Sequence, residues 1–175
     1  MNAVNLTQCI CSKVLSDDGY GNLGFYALGL MFGTFGLCSL VILPVINKLG
    51  DRMSMVIGTV SYFVYIGFQF LALLRSKYPD SWLGAPYMHT VLYVALLVTA
   101  FLNGIGCALY WVCSIKYVNE CCNEKNKGLF NSIFFVLNKG SMVTGNLAAA
   151  FLIPLLSEIT FYMILTVLCF IMIFY

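Results

Sequence analysis

The chain has 175 residues, 61% hydrophobic and only 9% charged, with a mean hydropathy of +0.92. Soluble domains carry roughly a quarter charged residues, so too few polar side chains remain to coat a water-facing surface; a soluble globular protein is excluded and the lipid bilayer is the expected surrounding. Nine Lys and Arg against seven Asp and Glu leave a net charge of +2 with no basic patch, which argues against a nucleic-acid partner.

Charges mark where membrane spans begin and end, because a spanning helix needs about 20 mostly apolar residues. Residues 1–15 are short and lack the charged start of a signal peptide, so they read as a partial helix, followed by a turn carrying Asp17, Asp18, Gly19, Gly21 and Gly24. Nothing between Asp18 and Lys48 is charged, and 25–46 is the first full span. The next, 53–74, is bounded by Arg52 and Arg75; 90–115 is bounded by His89 and Lys116; 129–156 is interrupted by Lys139. A partial span, 159–175, follows Glu158. The expectation is an all-α, polytopic membrane protein, one transmembrane helical domain over 1–175. Its six helices have the first and last incomplete, as in a fragment. Lys48, Arg52, Lys116, Lys125 and Lys127 fall on one side against Lys13, Arg75 and Lys77, which places the first group in the cytoplasm. Which membrane it inhabits is not encoded in these features.

Within the first full span, Gly29, Gly33 and Gly36 recur at i, i+4 and i+7, predicting a face where a neighbouring helix packs closely or slides. Gly58, Ser61, Tyr65 and Gln69 form a mildly polar seam that should face protein. Asn103, Cys107, Tyr110, Ser114 and Tyr117 line one face of the following span, either as interhelical hydrogen-bonding groups or as a cavity wall. Lys139 lies about ten residues into its helix, about 15 Å from the end, near the midplane, where a lysine costs about 2.5 to 3.5 kcal/mol to insert. Ser132, Lys139 and Asn146 are spaced by seven, as are Asn131, Asn138 and Gly145, and the two rows read as one polar face. No acidic residue falls within the spans. Lys139 therefore binds an anionic group in a watery cavity, pairs with an acid on helices outside this chain, or snorkels to the interface.

Other motifs carry little chemistry. GYGNLG at 19–24 has the GxGxxG spacing but no preceding strand, so it reads as a turn. His89 is the single histidine, which leaves no bis-histidine haem site, catalytic triad or HExxH, and it reads as a residue at the membrane mouth. Of the eight cysteines, Cys38, Cys107, Cys113 and Cys169 lie in apolar runs as small packing residues. Cys9 with Cys11 and Cys121 with Cys122 lie nearer membrane ends, where acylation or metal binding is conceivable, though no CxxC or His cluster accompanies them. The sequon Asn5-Leu6-Thr7, if inside a span, is beyond the reach of the glycosylation machinery. No enzyme, metal or cofactor is expected.

The order of Asn5 and Gln8, GNLGFYALG at 21–29, KLGDRMSMVIG at 48–58, NGIGCALYW at 103–111 and the segment from Lys127 through GNL at 145–147 resembles the ion-channel regulatory family named for the uncoordinated-ninety-three mutant. That family is a branch of the major facilitator superfamily, and the resemblance runs over nearly the whole chain. It implies the amino-terminal six-helix half of a transporter-like fold, in which two such halves enclose a midplane cavity. Gly50-Asp51-Arg52 is similar to part of the superfamily's loop signature. Asn47 replaces its initial Gly and Ser54-Met55 its Gly-Arg, a departure that weakens the case for proton-coupled antiport. Asn103 stands where the antiporters resemble one another in having an Arg. By this resemblance Asp51 and Arg52 are candidate cytoplasmic gate residues that link helix ends by charge; the polar helix faces make Lys139, Asn138, Asn131, Asn146, Asn103, Tyr110 and Ser114 candidate cavity or substrate residues. The implied function is transport-like or ion-channel regulation, with the lipid bilayer and a second six-helix half, a second copy or other membrane subunits as partners. The alternative is a non-transporting accessory or scaffold subunit of a larger membrane complex.

Overall fold

A computed structural model describes residues 20–78, 85–156 and 158–173. The expected partial helix at 1–15, with Asn5, Gln8, Cys9, Cys11 and the sequon, lies outside them. Among the described residues all regular structure is helical: α1 Leu23–Val41, α2 Leu43–Leu49, α3 Asp51–Lys77, α4 Pro86–Glu120, α5 Lys127–Leu155 and α6 Glu158–Ile173. The protein is an all-α membrane protein. Leu23–Val41, Asp51–Arg75 and Tyr87–Glu120 are each long and apolar enough to cross a bilayer.

The expected span 25–46 is broken at Ile42, after which α2 resumes with Pro44 in its first turn, where a missing N–H removes no helical hydrogen bond. Gly50 ends α2: its N–H donates to the Ile46 carbonyl at 2.8 Å, and its φ of +83° is a setting that favours glycine. The chain turns there directly into α3, whose first turn carries Asp51 and whose last carries Arg75 and Lys77, each charge placed to suit the helix dipole. At 35 residues, α4 is about 52 Å long by its rise. It runs past Ile115 to Glu120, so its ends outreach a hydrocarbon core about 30 Å thick.

The central helix α4 packs against α1 and α3. Ala27, Met31, Tyr65 and Ala100 form one shared cluster, and Tyr20, Leu23, Ala72 and Leu96 another. Ile42, Ile46, Ala108, Leu109 and Cys113 extend the core along the lower half of α4. Leu73 of α3 meets Phe161, Tyr162 and Leu165 of α6. Large apolar side chains such as Leu40, Val136, Phe151 and Leu155 point outward, as a lipid-facing surface requires. The expected seam on α3 does face protein: Gly58, Tyr65 and Gln69 are buried and Ser61 half-buried.

Close helix approach occurs at different glycines from those expected. Gly29, Gly33 and Gly36 are exposed, and a Cβ added to any of them would meet nothing within 4 Å among the described residues. The inward face of α1 is instead Leu23, Ala27, Met31 and Thr34. Contact between helices falls at Gly58, Gly104 and Gly106. A Cβ on Gly58 would lie 2.8 Å from the Gly106 carbonyl oxygen, and one on Gly104 2.7 Å from that of Met31. Without a hydrophobic driving force between helices in lipid, such small-residue contacts supply the packing that holds them.

Candidate functional site

Gly50 places the start of α3 against the last turns of α4. There the Asp51 carboxylate accepts a hydrogen bond from Lys116 Nζ at 2.8 Å, and Glu120, one turn further along α4, lies 3.7 Å from the same ammonium. The Cys113 thiol donates to the Asp51 main-chain carbonyl at 3.3 Å. On the α5 side, Asn131 Nδ2 donates to Asn119 Oδ1 at 2.9 Å. One end of the bundle is thus closed by an ion clasp between α3 and α4 and an amide clasp between α4 and α5.

Of the two candidate gate residues, Asp51 alone is linked by charge to another helix among the described residues. Asp51 is held by Lys116 and not by its neighbour Arg52, which is exposed and, among the described residues, forms no ion pair. Adjacent helical residues point about 100° apart, so Asp51 turned onto α4 leaves Arg52 outside the contact. Lys116 with Glu120 was visible in the sequence as an i, i+4 pair of opposite charge at a span boundary. That signal could have identified the partner.

Deeper in the bundle, Asn103 is fully buried. Its Oδ1 accepts from Ser61 Oγ of α3 at 3.2 Å, and its Nδ2 donates to Met31 Sδ of α1 at 3.2 Å. One side chain of α4 therefore ties three helices at the level where Gly58, Gly104 and Gly106 let their backbones close up. Asn103 faces neighbours here. Tyr110 sets its ring edge-on against Tyr62, with centroids 6.3 Å apart, and Ser114 Oγ donates to the Tyr110 carbonyl of its own helix at 2.6 Å.

The two rows on α5 separate. Asn131 and Asn138 are half-buried and Gly145 is buried, and Trp111 of α4 contacts Phe134 edge-on at 6.2 Å on the same side. Ser132, Lys139 and Asn146 are all exposed. The rows sit about 100° apart on the helix, enough for one to face α4 while the other looks away. Among the described residues no acid forms an ion pair with Lys139. The candidate cavity residues thus fall into an inner group around Asn103 and Tyr110, an α4–α5 contact at Asn131 and Asn138, and an outward group at Lys139 and Asn146. An open groove of about 280 Å³ between α3 and α4, lined by Val60, Ser61, Val64, Thr99, Leu102 and Gly106 among others, contains none of them. Among the described residues no three His, Cys, Asp or Glu converge to hold a metal.

Residues 19–175 match the Major Facilitator Superfamily. The chain is 26% identical over 143 residues to the UNC93-like protein MFSD11 of Xenopus laevis, an alignment covering 82% of this chain and 28% of that protein. No solved structure matches the chain.

Proposed function

Because this chain belongs to the Major Facilitator Superfamily, with an UNC93-like relative, we propose that it supplies a six-helix, amino-terminal half of a transport unit that works with a second set of helices. The observation that carries this reading is the outward row of α5. Ser132, Lys139 and Asn146 are exposed on a helix that also exposes large apolar residues, Val136 and Leu137 among them. An ammonium at mid-depth is poorly accommodated by hydrocarbon, so this row faces a watery pathway, with Lys139 holding an anionic group of the cargo. Asp51 with Lys116 latches the end assigned to the cytoplasm. In the complete protein Lys139→Gln should abolish or redirect uptake, and unchanged uptake would remove Lys139 from the pathway.

The same row favours a second reading, in which helices of another subunit cover it and an acid of that subunit pairs with Lys139. An accessory or scaffold subunit of this kind should stay stoichiometric with its complex in mild detergent.

A further inference from the structure

Three cysteines inside the helices are withdrawn from the surface, Cys107 and Cys113 buried and Cys38 half-buried. The adjacent pair Cys121-Cys122 differs. It lies directly past the end of α4, with Cys121 exposed and Cys122 half-buried, its thiol donating to the Val118 carbonyl at 2.9 Å. Cys121 directly follows Glu120 and lies five residues past Lys116, about 7 Å along the helix axis. Charges mark the edge of the hydrocarbon, and the headgroup layer beyond is itself only several ångströms deep, so the pair sits at headgroup level.

Two further features surround it. Lys125 and Lys127 are exposed beside the pair, as are Glu120 and Glu124, which offset their charge and leave the turn polar and near neutral. The Asn119–Asn131 hydrogen bond holds the first turns of α5 against the last turn of α4. Leu129, Phe130 and Ile133 are exposed on those turns, as is Tyr117 on α4. A hydrocarbon chain starting at Cys121 would therefore find an apolar strip leading back into the bilayer.

We propose that Cys121-Cys122 is a site of reversible S-acylation by a long-chain fatty acyl group. The cysteine sulfur attacks the carbonyl carbon of an acyl-coenzyme A, a new carbon–sulfur bond forms, the old one breaks, and coenzyme A leaves as its thiol with the proton the cysteine gives up. No oxidant or reductant is consumed. The modification would pin the α4–α5 turn, and with it the two clasps, to the membrane surface.

The test is thioester exchange on the full-length protein from cells: free thiols are blocked, thioesters cleaved with hydroxylamine, and the released thiols tagged with a mass label. Wild type should shift only after hydroxylamine. Cys121→Ser should lose most of the shift, and the double variant C121S/C122S should lose it at least tenfold relative to a Cys38→Ser control. Serine suits an exposed turn, and equal yield and detergent-extracted size of the double variant check that it folds. No hydroxylamine-dependent shift in wild type, or a shift undiminished in the folded double variant, would overturn the proposal.

Discussion

The carboxylate of Asp51 and the ammonium of Lys116, 65 residues apart in sequence, meet at 2.8 Å and join the first turn of α3 to the last turns of α4. The side chains are 27% and 28% exposed, respectively, so water and salt weaken the attraction. The pair acts more as a positional latch than as a large source of stability. Asp51→Asn or Lys116→Gln should lower unfolding stability in detergent only slightly. The swap Asp51→Lys with Lys116→Asp should recover part of that loss. Equal, additive losses in the swap would mean that the two charges do not interact.

Gly106 and Gly33 make a paired prediction. A Cβ on Gly106 would lie 2.5 Å from Ser61 Cβ, whereas one on Gly33 meets nothing within 4 Å among the described residues. Gly106→Ala should destabilise by about 1 to 3 kcal/mol by forcing α3 and α4 apart. Gly33→Ala should be neutral or, through helix propensity, stabilising by about 0.5 to 1 kcal/mol. Thermal unfolding of the two variants side by side checks the contrast.

Asn103 predicts an asymmetry between partners. Asn103→Ala removes contacts to both α1 and α3 and should cost about 1 to 2 kcal/mol. Ser61→Ala should cost less, because the single Ser61 hydroxyl proton is shared with the Gly58 carbonyl within α3 at 2.7 Å, which leaves its 3.2 Å bond to Asn103 the weaker one. Urea or detergent-driven unfolding with both single variants and the double variant would give the coupling between them.

These residues also show what the sequence could and could not reveal. Composition and the charges at Arg52, Arg75, Lys116 and Glu158 made the membrane class and most helix positions readable, because lipid imposes one severe rule on every span. Spacing along one helix says which residues share a face but not which face turns inward. Gly29, Gly33 and Gly36 are perfectly periodic, yet α1 buries Ala27 and Met31. The glycines that matter, Gly58 with Gly106 and Gly104 with Met31, meet across helices, and no single-helix period encodes that. Asp51 illustrates the same limit, since its adjacent basic neighbour is Arg52 and its real partner lies on α4. On α5, two heptad rows that look like one polar face are parted by the turn between consecutive residues.

The most direct measurement is the water accessibility of the outward row of α5 in the complete protein. Single cysteines would replace Ser132, Asn146 and, as an apolar control, Leu137, which is 69% exposed. Each would be treated with a membrane-impermeant thiol reagent in sealed membranes of known orientation. Reaction at 132 and 146 with none at 137 is the result expected of a water-lined pathway. Silence at 132 and 146 in both membrane orientations would contradict it and place that row against lipid or another protein.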